Sequence, residues 1–318
     1  MKYIFNLLCV MLLLPLTASS QQFKYPPELP GTEEYVYKTV DGIDLKLWVF
    51  SPTDHGTDDI RPAIVFFFGG GWASGSPEHF ARHCAYLTDR GMIGIVADYR
   101  VKSRHDASVE TCIADAKSAM RWVRANTSHL GIDPERIAAG GGSAGGHLAA
   151  ATCLLTGLDD PKDDLSVSER PNALVLFNPV LVLAPLDDDS ISPELHISKE
   201  SLEAVNERLR NSRWLERVGV KPTAASPYHH LTSCICPTII FHGTADKTVT
   251  HITVELFCRR THAYGNRCEL VSYDGVDHGF FNYGRGNNAA FIDTIYRMDR
   301  FLVSLGYLTG PPDVSVIK

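Results

Sequence analysis

No run of basic residues and no basic patch interleaved with aromatics occurs anywhere in these 318 residues. With 30 Lys+Arg against 37 Asp+Glu the formal charge is −7, so nucleic acid is not an expected partner. Cys-x-x-Cys is absent, and no His/Cys cluster has the spacing that holds zinc. The chemistry expected of the chain therefore needs neither a metal nor an organic cofactor. Repeats of fixed period and low-complexity linkers are also missing. Past Leu16 no apolar run approaches the roughly 20 residues that cross a bilayer.

The first twenty residues stand apart. "MKYIFNLLCVMLLLPLTASSQQ" carries Lys2, an apolar run from Tyr3 to Leu16 and the small residues Ala18, Ser19 and Ser20. This pattern predicts a signal peptide over residues 1–20, a mature chain of 21–318 without a membrane span, and a secreted or periplasmic location. Without Cys9 of that leader, seven cysteines remain, an odd number that leaves at least one free thiol and allows up to two disulfides. Their pairing and the oligomeric state stay unassigned. Cys234 and Cys236 are too close in sequence for an ordinary bridge, and Cys153 falls on a helical face rich in alanine and leucine.

The apolar pattern changes period repeatedly after the leader. "EEYVYKTV" and "IDLKLWVF" alternate as half-buried strands do, whereas "AIVFFF" and "MIGIVAD" are continuous runs suited to strands covered on both faces. "SVETCIADAKSAMRWVRAN" places apolar residues three and four apart, as a helix requires. "RIAAGG", "ALVLFNPVL", "PTIIFHG" and "CELVSYD" read as further buried strands, with helices near Val249 and Asn288. Strands alternating with helices predict an α/β fold, a mostly parallel sheet wrapped on both faces. The fifty or so residues between Leu183 and Pro237 exceed a simple crossover, so a helical cap insertion is expected at about 184–232.

Chemistry concentrates at "AAGGGSAGGHLAAATCLL". Gly141-Gly142-Ser143-Ala144-Gly145 fits Gly-x-Ser-x-Gly between an expected strand and an expected helix. A strained turn there lifts the serine hydroxyl above the sheet, and side chains at Gly141 or Gly145 would collide. A serine needs a base, and the base needs an orienting carboxylate. His278, in "VDHGFFN" after the last strand, and Asp246, in "FHGTADKTV" after the preceding one, supply them. Asp277 and the Asp187–Asp189 run are rivals for the acid. The first is adjacent to His278 and the second reads as a solvated loop. "FFFGGGWASG" follows the third strand; Gly70, Gly71 and Ala144 are the expected oxyanion donors.

Taken together, "FFFGGGW", "DYR", "GIDPERIAAGGGSAGGHLAA", "HGTADKTV" and "DHGFFN" resemble the α/β-hydrolase carboxylesterases of the hormone-sensitive-lipase and bacterial acetyl-esterase type, over residues 40 to 305. The resemblance implies Ser143 as nucleophile, Asp246 as acid, His278 as base, and an oxyanion hole of Gly70, Gly71 and Ala144. Phe68 departs from it, because the family usually has histidine before the three glycines. Trp72 and the Tyr228-His229-His230 cluster are expected either to line the substrate pocket or to pack beneath the cap. The expected function is a secreted serine carboxylesterase acting on a small-molecule or carbohydrate ester with a short acyl, acetyl or aromatic acyl group. A serine amidase or peptidase, or a catalytically silent ligand-binding protein, are the alternatives.

Overall fold

The computed structural model describes residues 25–56, 59–186 and 197–317, so the expected signal peptide and Asp187–Asp189 lie outside the described residues. Eight strands form one sheet: β1 (Glu33–Val40), β2 (Ile43–Phe50), β3 (Arg61–Phe67), β4 (Ile93–Ala97), β5 (Ile132–Gly142), β6 (Ala173–Phe177), β7 (Thr238–Gly243) and β8 (Cys268–Tyr273). Their order is β1-β2-β4-β3-β5-β6-β7-β8. Strand β2 pairs antiparallel with β1 and β4, and every other neighbouring pair is parallel. Asp41 and Gly42, both at positive φ, make the tight turn from β1 to β2.

The helices are α1 (Ala81–Asp89), α2 (Lys102–His105), α3 (Val109–Ala125), α4 (Thr127–Leu130), α5 (Ala144–Leu154), α6 (Lys199–Arg210), α7 (His251–Ala263) and α8 (Ala289–Ser304). Helix α3 begins where a serine can cap it, the Ser108 hydroxyl accepting from the Thr111 amide. Buried residues divide into two cores, one on each face of the sheet. Leu47, Val65, Leu148 and Leu176 belong to one, and Ile64, Phe66, Phe177 and Phe241 to the other. Successive residues of a strand face opposite ways, which is why "AIVFFF" is apolar without alternation.

Two strands differ from their sequence reading. Strand β6 stops at Phe177 because Asn178 takes a positive φ of 36° and turns the chain away, so "NPVL" continues as buried irregular backbone. Strand β8 is the sheet edge and only Cys268 in it is buried. Its apolar residues cover one face alone. Between β6 and β7, the described part of the long connection contains α6 and three short 3₁₀ turns, Leu215–Arg217, Pro222–Ala225 and Pro227–His230.

Parallel register brings Phe67 beside Gly141, Gly142 beside Phe177, and Phe177 beside Phe241. The C-terminal ends of β3, β5, β6, β7 and β8 consequently open onto one rim, where α/β sheets place their ligands.

Candidate active site

Strand β5 runs directly into α5 through Ser143, whose φ of 54° and ψ of −118° lie outside the common regions for a non-glycine residue. Close packing beneath holds that turn. A Cβ on Gly145 would sit 2.0 Å from the Phe67 carbonyl oxygen, and one on Gly141 would sit 2.5 Å from the Gly145 carbonyl. Both glycines are therefore required by sterics, as the motif predicts. The Ser143 amide donates to the Phe177 carbonyl at 2.8 Å, tying the turn to β6.

Three loops converge on the Ser143 hydroxyl. His278 Nε2 lies 3.0 Å from Ser143 Oγ, and His278 Nδ1 lies 2.7 Å from Asp246 Oδ2. The second Asp246 oxygen accepts from the Thr248 and Val249 amides, each at 2.8 Å. Burial acts to raise the Asp246 pKa, but contacts from His242 and His278 and the Val249 amide outweigh it. They hold the carboxyl well below the usual carboxylate range. With Asp246 ionised, Nδ1 of His278 carries the ring proton and Nε2 is free to accept from the serine. Asp277, the rival acid, instead accepts from the Lys247 and His278 backbone amides and does not reach the ring.

The glycine loop follows β3. A Cβ on Gly70, at φ +129°, would meet the Ser74 carbonyl at 2.1 Å, whereas Gly71 faces open space. Among the described residues, the amides of Gly70, Gly71 and Ala144 have no hydrogen-bond acceptor. The Gly69 amide is occupied, donating to His79 Nδ1. Phe68 fills the place of the family histidine by a different contact. Its ring stacks on Tyr99 at 4.0 Å between centroids, and the Tyr99 hydroxyl donates to the Phe68 carbonyl at 2.7 Å.

Trp72 and Tyr228 separate. Trp72 lines the cleft around Ser143, a space of about 380 Å³ shared with Asn178, Trp214, Thr248 and Phe281. Its Nε1 donates to His147 Nδ1 at 3.2 Å, and His147 Nε2 donates to the Ala225 carbonyl at 2.8 Å. That chain links the glycine loop, α5 and the connection before β7. Tyr228 does not line the cleft and corrects the pocket expectation. It is fully buried, with its amide on the Leu181 carbonyl and the Arg260 guanidinium 4.8 Å from its ring. Packing accounts for it.

Two residues at the site lie outside the motifs. Asn178 accepts from the Gly279 amide at 3.0 Å and sets its Nδ2 3.4 Å from His278 Nε2. Its position directly after a central strand is a signal that the sequence carried. His79, between the glycine loop and Asn282, carried none.

Comparison with known proteins gives the family. The BD-FAE family profile matches residues 47–260, and the dienelactone hydrolase family profile matches residues 218–305. The chain belongs to the BD-FAE family, within the α/β-hydrolase carboxylesterases. A similar structure is propionate-bound esterase 2 of Thermogutta terrifontis, 51% identical, covering 90% of this chain and 99% of that chain with a TM-score of 0.79. The same esterase phosphorylated by paraoxon is 48% identical over 91% of this chain and 100% of that chain, with a TM-score of 0.80. Carboxylesterase NlhH of Mycobacterium tuberculosis is 35% identical over 142 residues, 43% of this chain and 43% of NlhH. Esterase LipC of the same organism is 29% identical over 232 residues, 69% of this chain and 53% of LipC. The chain spans about half the length of these two curated relatives. Elsewhere in this BD-FAE member, no group of three or more His, Cys, Asp or Glu could hold a metal ion among the described residues, and no described helix is long and apolar enough to cross a membrane.

Proposed function

We infer that this protein is a secreted serine carboxylesterase that removes short acyl groups, acetyl or aromatic acyl groups on carbohydrate among them. The observation that carries the reading is His278 between Ser143 and Asp246, at 3.0 Å and 2.7 Å. The propionate- and butyrate-bound structures of the Thermogutta terrifontis esterase support a short acyl group. The leader sequence supports export.

The mechanism follows from which nitrogen is free. His278 Nε2 takes the Ser143 proton as Oγ attacks the ester carbonyl carbon. The carbonyl π electrons move to oxygen, where the amides of Gly70, Gly71 and Ala144 receive the developing charge. Each such donor stabilises the transition state by about 3–4 kcal/mol. Collapse breaks the bond to the alcohol oxygen, and the imidazolium returns its proton to that oxygen. Water, deprotonated by the same nitrogen, then attacks the acyl-enzyme and frees the acid and Ser143.

Labelling with a fluorophosphonate, with 4-nitrophenyl acetate and an aminoacyl 4-nitroanilide as paired substrates, tests the reading. The expected result is labelling of Ser143 and turnover of the ester well above that of the anilide. Turnover of the anilide alone would identify an amidase or peptidase. Absence of both labelling and turnover would identify a silent ligand-binding protein.

A further inference from the structure

A second cavity adjoins the cleft, and its charge runs against that of the chain. It holds about 570 Å³ and shares Gly71, Val180, Trp214 and Thr248 with the space around Ser143. Trp214 thus stands at the junction. Arg208, Arg213, Arg217 and Lys247 line the cavity, and among the described residues no carboxylate does, although the formal charge of the protein is −7. No ion pair among the described residues engages any of the four. Arg210 on the same helix as Arg208, by contrast, pairs with Glu203 at 2.8 Å. The Arg208 guanidinium donates to the Lys247 carbonyl oxygen, fixing α6 against the loop that carries Asp246. Asp277 accepts from the Lys247 backbone amide and feels the Lys247 charge without forming an ion pair with it.

The remaining wall carries no charge and joins apolar Val180, Val182, Val205, Leu209 and Val249 to a polar set. Asn211, Ser212, Thr248, Thr250 and Thr253 offer hydroxyl and amide groups, and Thr250 is the N-cap of α7, whose first turn favours an anion. Trp214 Nε1 is buried and has no hydrogen-bond partner among the described residues. An unpaired buried donor of this kind is unfavourable, and a ligand oxygen would relieve it. Cations with no ion pair among the described residues, hydroxyl groups and an aromatic ring in one space suit a ring bearing hydroxyls and an anionic group.

We propose that the non-reacting part of the substrate is an anionic sugar ring, received by Arg213, Arg217 and Lys247 with Trp214 against the ring. This rests on the esterase reading and narrows it to acylated acidic carbohydrate, the anion being a carboxylate or a sulfate. A cleft walled by one sign of charge concentrates and orients ligands of the opposite sign.

Three acetylated oligosaccharides of matched size test this on the full chain: a uronate, a sulfated sugar and a neutral sugar, with 4-nitrophenyl acetate alongside. At low ionic strength kcat/KM for at least one anionic ester should exceed that of the neutral sugar ester by roughly tenfold. The arm that gains identifies the anion. Added salt should close the gap while leaving the neutral ester unchanged. In the double variant Arg213→Gln/Arg217→Gln the anionic-to-neutral ratio should fall severalfold. Equal kcat/KM for anionic and neutral sugars, or hydrolysis of 4-nitrophenyl acetate with no sugar ester cleaved, overturns the inference and leaves the esterase intact. A preference that the double variant retains in full overturns the assignment of these arginines. Failure of the wild-type protein on every ester overturns the esterase reading itself.

Discussion

His79 Nδ1 accepts the Gly69 amide hydrogen at 3.0 Å, and its Nε2 donates to Asn282 Oδ1 at 2.6 Å. Accepting at one nitrogen and donating at the other requires a neutral ring. Burial lowers the His79 pKa and favours that state, although the Asn282 contact works in the opposite direction. The glycine loop therefore has an anchor where Phe68 replaces the family histidine. His79→Ala leaves the Gly69 amide unpaired and loosens the loop that carries the proposed oxyanion donors. We expect kcat/KM on 4-nitrophenyl acetate to fall roughly tenfold, with a smaller effect on Tm, since one unmade buried hydrogen bond costs about 1–3 kcal/mol. Unchanged kinetics in this variant would remove His79 from the loop's support.

The glycines around Ser143 separate two kinds of requirement. Gly145 has no room, with a Cβ 2.0 Å from the Phe67 carbonyl oxygen, whereas Gly71 has room but a φ of +62°. Gly145→Ala must displace the backbone of β3 or α5, and we expect no folded protein from it. Gly71→Ala should fold and lose about 1–2 kcal/mol, the cost of holding an L-residue in the left-handed region. Thermal denaturation of the two variants, beside the wild type, distinguishes these outcomes.

His147 makes stability depend on pH. Burial pushes its pKa down to about 4 from an ordinary value near 6.5, against the contact with the Ala225 carbonyl that acts to raise it. Between those values the unfolded chain binds the proton and the folded one does not. The His147 contribution is thus complete above pH 6.5 and is lost as pH falls toward 4, by about 3 kcal/mol in all. Buried Asp98, its pKa raised to about 6 chiefly by burial, acts with the opposite sign in an overlapping window. His147 is therefore read as a difference. His147→Gln should flatten the rise of Tm with pH relative to the wild type, and equal slopes would contradict the assignment.

One disulfide joins Cys258 in α7 to Cys268 at the start of β8, closing a separation of 10 residues. A loop that short stabilises by about 3 kcal/mol or a little less in the chain-entropy account. The double variant Cys258→Ala/Cys268→Ala should lower Tm by several degrees and make it insensitive to reducing agent. Wild-type Tm should fall on reduction. Cys153 and Cys236, with sulfurs 3.1 Å apart, are free thiols here, so alkylation under native and denaturing conditions separates buried from exposed cysteines.

Much of this geometry was legible because parallel sheets deliver strand ends to one rim. Ser143, Asp246 and His278 each follow a strand, so position after a strand, together with the Gly-x-Ser-x-Gly turn, marks them among other serines, aspartates and histidines. Asn178 obeys the same rule, but "FNPVL" hides it by continuing the apolar run beyond the real strand end at Phe177. His79 was not legible. Its role depends on a 3₁₀ turn, Pro77–Phe80, folding back beneath Gly69, and no pattern in "SPEHF" encodes that distance. Strand β8 misled for a related reason, since an apolar stretch does not reveal whether a second neighbour covers it. Tyr228 could have been a wall or a filler from its sequence alone. Only the burial of its ring decides.

Strand β8 has one neighbour, β7, and His278 emerges from the loop just after it. Ser143, in contrast, rises from the middle of the sheet. Edge strands open at lower free energy than central ones. Warming should part the imidazole from the hydroxyl while the centre still holds, so the enzyme falls silent before it melts. The sulfur bridge at the head of β8 is the stitch that narrows this interval.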